Sequence, residues 1–175
     1  MDRRPARRRI AAAATATAVL AAGTFALGAG VAGADPASKG GKHAKPVTKT
    51  QVLALFDQWN AALQTGDPKK VADLYAKDAV LLPTVSNQVR TDRAGIVDYF
   101  EHFLQNKPKG TKTESVVNVL DRDTVIDTGV YEFELTDHDT GAKSTVKARY
   151  TYAYEKQPNG KWLIVNHHSS KMPQG

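Results

Sequence analysis

Four stretches of alternating apolar and polar residues run back to back: Thr113 to Leu120, Thr124 to Thr136, Ser144 to Lys156 and Trp162 to Ser170. Only the turn clusters Asp121-Arg122-Asp123, Asp139-Thr140-Gly141 and Pro158-Asn159-Gly160 separate them. Turns this short join antiparallel neighbours, so this half of the chain is restricted to an antiparallel meander. Asn159-Gly160 is the sharpest of the three signals, because both residues tolerate the positive φ of a tight hairpin.

The residues ahead of the meander read as helices. Thr48 is a candidate N-cap for a helix from about Lys49 to Gln64, whose buried stripe is Val52, Leu55, Phe56, Trp59 and Leu63. Thr65-Gly66-Asp67-Pro68 stops it and starts a short second helix with Val71, Leu74 and Tyr75 as its apolar face. Ala79 to Pro83 reads as a short strand. Thr91 or Asp92 then caps a third helix reaching about Gln105, with Ile96, Val97, Tyr99, Phe100 and Phe103 on one broad side. Three helices followed by an antiparallel meander predict an α+β fold, with the helices packed on one face of the sheet.

The first 34 residues carry the pattern of an export signal. Five arginines between Arg3 and Arg9 precede an alanine-rich apolar run, and Ala32-Gly33-Ala34 supplies the small-x-small pattern for cleavage before Asp35. The expectation is a secreted or envelope-associated protein with no membrane span after cleavage. The general secretion route is favoured over the twin-arginine one, because arginine pairs are common in such regions. The chain contains no cysteine, so neither a lipid anchor on cysteine nor a disulfide is available. Residues 35–47, rich in Gly, Lys, Ser and Pro, read as a flexible linker to a domain over 48–173.

Charge excludes one class of partner. The chain has 24 Lys+Arg against 18 Asp+Glu, but the signal holds five of the arginines and the linker three of the lysines. The domain itself is near neutral, so a nucleic-acid partner is not expected. No metal-ligand spacing, phosphate loop, Gly-x-Ser-x-Gly elbow or dinucleotide fingerprint occurs, and no metal or cofactor is expected.

Candidate chemistry lies on the strands. Along Thr124 to Thr136 the inward face holds Val125, Asp127, Gly129, Tyr131, Phe133 and Leu135, which makes Asp127 a lone carboxylate among apolar neighbours. It reads either as a general base or ligand contact, or as a group satisfied near a strand end. Along the next strand Val146, Ala148, Tyr150, Tyr152 and Tyr154 share a face, a ladder able to line a cavity with both ring and hydroxyl. Arg149 falls on the outer face. On the closing strand His167 and His168 point opposite ways, so one shares a cavity and the other meets a second subunit. Both faces are apolar where this strand begins, and alternation does not decide which is inward. A cleft histidine suits proton transfer near neutral pH, whereas a core histidine satisfied by a tyrosine hydroxyl is the plainer reading. His102 and His138 carry no such signal.

Several of these segments together resemble the nuclear transport factor 2-like superfamily. They are Trp59-Asn60, Gly66-Asp67, Tyr75 leading to Asp78-Ala79-Val80, Gly129-Val130-Tyr131-x-Phe133, and Gly160-Lys161-Trp162-x-Ile164-Val165 with His168 and Ser170. Within that superfamily the chain is most similar to bacterial, SnoaL-like relatives of the calcium/calmodulin-dependent kinase II association domain, over about residues 48–173. The resemblance implies a cone-shaped fold with an internal pocket between a curved sheet and the first helix, and homodimers or a larger ring formed through the sheet. It does not imply kinase activity. The eukaryotic modules carry arginines in that pocket. Here Ser169 follows His168 and Tyr152 stands at another arginine position, so acidic-ligand binding is not carried over.

Superfamily enzymes, among them isomerases, dehydratases and cyclases, pair an acid or base with a hydroxyl donor in a dry cavity. By that analogy His168, His167 or Asp127 would be the base and Tyr152 or Tyr131 the donor, while Trp59, Tyr75, Tyr99, Tyr131, Tyr150 and Ser169 would contact ligand. Three functions follow as expectations. The first is an exported homodimer binding a small apolar or mixed-polarity ligand. The second is a cofactor-free enzyme on a polyketide-like or steroid-like substrate. The third is a non-catalytic oligomerisation module. Asp127 within reach of a histidine or tyrosine would favour the enzyme, and a pocket filled by Trp59, Tyr99 and Phe103 the module.

Overall fold

A computed structural model describes residues 46–173. The expected signal segment 1–34 and almost all of the linker 35–47 lie outside the described residues. Helix α1 spans Lys49–Gln64, α2 Pro68–Ala72 and α3 Arg93–Phe103, and the strands are β1 Tyr75–Leu82, β2 Lys109–Val119, β3 Thr124–Thr136, β4 Lys143–Lys156 and β5 Trp162–Lys171. None of the described helices is long and apolar enough to cross a membrane.

The helix starts obey the sequence. Thr48 accepts from the Gln51 backbone while Gln51 reaches back to the Thr48 amide, a reciprocal cap that satisfies two otherwise unpaired donors. Asp67 caps α2 ahead of Pro68, and Asp92 caps α3 through a 2.7 Å bond from the Gly95 amide. Val52, Phe56, Trp59 and Leu63 are buried, the spacing of one helix face.

The strands form one five-stranded curved, open sheet in the order β1-β5-β4-β3-β2. The meander β2 to β5 is antiparallel throughout, and β3 pairs β4 without a break from Thr124↔Glu155 to Thr136↔Lys143. β1 lies beside β5 and runs parallel to it, so the sheet is mixed rather than wholly antiparallel. The α3 crossover between β1 and the meander permits this, since a parallel pair needs a long connection.

Three boundaries differ from the sequence reading. α2 stops at Ala72, and Leu74 and Tyr75 do not belong to it: the Leu74 carbonyl accepts from the Ile164 amide, which draws the chain onto β5 and starts β1 at Tyr75. β2 starts at Lys109 rather than Thr113, because the Asn60 side chain makes two 2.9 Å bonds with the Gly110 backbone and fixes that residue against α1. The third helix tightens into a 3-10 turn over Leu104–Asn106, closed by Lys107 in the left-handed region.

Two bulges set which side chains face the helices. On β2, Lys112 pairs with Tyr131 but Glu114 with Val130, so Thr113 is the extra residue. Lys112 and Ser115 consequently both face inward, which unbroken alternation forbids. On β5, Ala153 pairs with Asn166 but Tyr154 with Ile164, so Val165 is the extra residue. Ile164 therefore joins His167 and Ser169 on the buried face, whereas alternation groups it with Asn166 and His168. This is why both faces of that strand look apolar at its start.

Packed between the helices and the sheet is an aromatic core. Trp59 lies 5.9 Å from Phe56, 6.2 Å from Phe100, 6.1 Å from Phe133 and 5.7 Å from Tyr152, ring centre to ring centre. Such offset and edge contacts add to the area each ring buries.

Candidate functional site

Trp59 on α1 and Tyr75 at the start of β1 meet His167 on β5. The Trp59 indole N–H donates to the Tyr75 oxygen at 3.0 Å, and Tyr75 lies 2.8 Å from His167 Nδ1. With an indole already donating to it, Tyr75 has one proton to give and one acceptor in reach, so it donates to Nδ1. Neutral His167 then carries its own proton on Nε2. Burial pushes the His167 pKa down from 6.5 to about 3, with the charge of His168 adding to the effect. The Tyr75 hydroxyl is raised well above its ordinary value, also by burial, despite the indole bond that opposes it. The His167 ring stacks on Tyr152 with centres 4.1 Å apart, and Trp59 meets it edge-on at 5.5 Å. His167 Nε2 is buried and has no hydrogen-bond partner among the described residues.

His167 and Ser169 line a cavity with a volume of about 30 Å³, whose apolar wall includes Leu81, Tyr99, Phe103 and Phe133. That is room for little more than a water molecule. On one side Tyr131 donates to Ser169 Oγ at 2.6 Å, and Ser169 in turn contacts the Thr84 hydroxyl. Thr84 belongs to the Pro83-Thr84-Val85 segment after β1, which closes this side of the cavity, with Val85 exposed. Burial raises the Tyr131 and Tyr99 hydroxyl pKa values, so both stay protonated at any physiological pH.

A second polar cluster lies on the β2–β4 side of the same core. Asp127 is completely buried. It accepts from Ser115 Oγ, from Tyr150 OH at 3.2 Å and from Lys112 Nζ at 3.2 Å. Lys112 also reaches the Leu53 carbonyl at 3.3 Å and sits 4.8 Å from the centre of the Phe56 ring. A buried carboxylate held by a cation and two hydroxyls is neutralised and saturated. It does not line the His167 cavity.

The candidate residues thus divide. Trp59, Tyr99, Tyr131, His167 and Ser169 line the cavity, and Tyr75 orients His167 from behind. Tyr150 belongs with Asp127, 23 residues apart in sequence. Tyr152 is wholly buried between the two clusters, its hydroxyl without a partner among the described residues. His168 is on the opposite face, in a groove with Arg149, Thr151 and Ser170. Lys112, Ser115 and Thr84 were not legible as site residues. The first two face inward only through the bulge, and Thr84 reaches Ser169 across 85 positions.

The domain boundary, fold and closing-strand motif all meet in one family. The model of the calcium/calmodulin dependent protein kinase II association domain matches residues 48–173. The chain belongs to that family. A solved structure assigned as such an association domain, from Xanthomonas campestris, is 59% identical, with 74% of this chain and 91% of that one covered at a TM-score of 0.70. A nuclear transport factor 2-like protein from Salmonella enterica is 14% identical at a TM-score of 0.63, covering 71% of this chain and 91% of that one. A ketosteroid isomerase-like protein from Erwinia carotovora atroseptica is 16% identical at 0.59, covering 70% and 95%. These two similarities show the fold alone. No curated protein matches the association-domain chain.

Proposed function

We propose that this association-domain family member is an exported, homodimeric small-molecule-binding domain without kinase activity. The observation that carries the reading is His167: a neutral imidazole with its Nε2–H buried and unpartnered, on the lining of an otherwise aromatic and aliphatic cavity. Leaving a buried donor unpaired costs about 1–3 kcal/mol. A ligand that brings an acceptor recovers it. At about 30 Å³ the cavity holds no drug-sized molecule, so binding requires its lining to part. The arginine-rich apolar leader supports export. The sheet face away from the helices supports dimerisation, with Val116, Val130, Thr128 and Thr151 around a groove of about 480 Å³.

The cofactor-free enzyme reading draws less support. With Nδ1 taken by Tyr75, the remaining ring nitrogen of His167 bears a proton rather than a lone pair, and Asp127, the other candidate base, is tied up by Lys112 and Ser115. The oligomerisation module is favoured by a different observation, that Trp59, Tyr99 and Phe103 leave only about 30 Å³ between them.

Native mass spectrometry of the protein from its own culture supernatant separates these readings. A dimer beginning at Asp35 with extra small-molecule mass is the expected result. A bare, larger ring would overturn the binding reading in favour of the module.

A further inference from the structure

A groove of about 470 Å³ runs along the outer side of helix α3, between it and the segment after β1. Hollows of this size take a small molecule. Asp98 and His102 lie four residues apart on the helix face that floors it, as do Tyr99 and Phe103. The two aromatic rings stack with centres 5.5 Å apart. Val85 and Arg90 stand on the other wall, and Val85 is a large apolar side chain left 53% exposed. An apolar strip and a charged end thus share one groove.

Arg90 is held firmly and paired loosely. Its backbone C=O and N–H both bond Leu81, at 2.8 and 2.9 Å, which fixes where the side chain starts. Of the five N–H donors a guanidinium offers, Nη1 meets Asp98 Oδ2 at 2.8 Å. Nε is buried and has no hydrogen-bond partner among the described residues, whereas buried N–H groups ordinarily have an acceptor. The ion pair is also unequal, with the Arg90 side chain 17% exposed and that of Asp98 50%. A half-exposed pair holds weakly, so Asp98 turns out to water at little cost while Arg90 stays behind, poorly hydrated. Arg90 is the only lysine or arginine among the residues lining the groove. One cation with a carboxylate at its side suits a ligand with one negative charge, and a dianion would face Asp98 with no second cation to offset it.

We propose that this groove binds a monocarboxylate with a small apolar body. The carboxylate takes the Arg90 guanidinium in competition with Asp98, and the apolar body lies along Val85, Tyr99 and Phe103. Arginine suits this role because its planar fork meets a carboxylate in two parallel bonds. The site is separate from the His167 cavity and does not depend on what that cavity binds.

Calorimetric titration of the full chain with phenylacetate, its neutral amide phenylacetamide and the dianion benzylphosphonate tests this. Phenylacetate should bind about ten-fold more tightly than the amide, the difference a charge-assisted bond makes, and more tightly than the phosphonate. Arg90→Lys keeps the charge but loses the fork, and should weaken phenylacetate about ten-fold. Asp98→Asn removes the competing carboxylate from a half-exposed position and should tighten it about three-fold, the opposite sign. The Nε–H NMR signal that Arg90→Lys removes should move to lower field when phenylacetate is added to the unaltered protein. If Arg90→Lys fails to fold, the Asp98→Asn titration decides alone. Equal binding of acid and amide, preference for the phosphonate, no change or a loss of affinity in Asp98→Asn, or no binding of any probe would each overturn the proposal.

Discussion

His167 is neutral because of where the chain puts it. Trp59 and Tyr75 complete a hydrogen-bonded row that ends on Nδ1, Tyr152 covers one ring face, and burial removes the water that an imidazolium would need. The lowered pKa makes this a stability statement as well. Below about pH 6.5 the unfolded chain takes up a proton on this side chain that the folded chain refuses down to about pH 3. The contribution is therefore intact above pH 6.5 and is lost as pH falls, at about 1.4 kcal/mol per pH unit. Urea unfolding at pH 7.5 and pH 5 should differ by about 2 kcal/mol from this group, and His167→Gln should remove most of that difference. An unchanged difference in the variant would mean that the histidine titrates freely in the native state.

At the scale of elements, the two bulges decide most of the chemistry. β3 and β4 have no bulge, and their inward faces follow from alternation alone, which is why Asp127, Tyr131, Tyr150 and Tyr152 could be read as buried from their positions. β2 and β5 each hold an extra residue, and there alternation fails: it hides Lys112 as Asp127's partner, and it sets Ile164 with Asn166 and His168 instead of with His167. Helix starts were legible because caps are local, and β1 was misread because its start depends on a backbone bond to β5. The β2 bulge itself rests on Gly129. A Cβ there would stand 2.0 Å from the Glu114 carbonyl oxygen, a backbone atom that cannot move without undoing the bulge. Gly129→Ala should destabilise by about 3 kcal/mol or more in chemical denaturation. A cost under about 1 kcal/mol would show that the strand relaxes and that the bulge is not required.

Among the described residues, the helices cover one face of the sheet. The other face carries Val116, Val130, Thr128 and Thr151 with the polar groups Glu114, Arg149 and His168, a mixed surface suited to a second copy rather than to a buried core. Val130→Lys would set an extra charge in the middle of that face. On the proposed dimer it should halve the mass measured by light scattering without altering the circular dichroism of the fold; a monomer's mass for the unaltered protein would overturn the dimer, and an unchanged dimer mass would move its interface elsewhere. The pocket, by contrast, is built by a single chain, and the binding reading turns on which His167 nitrogen bears the proton. Nitrogen-15 NMR of the histidine rings, recorded at pH 7 and again at pH 5, reads this directly. The account predicts one histidine that is the neutral Nε2–H tautomer at both values. An Nδ1–H tautomer, or a ring that becomes doubly protonated by pH 5, would contradict it.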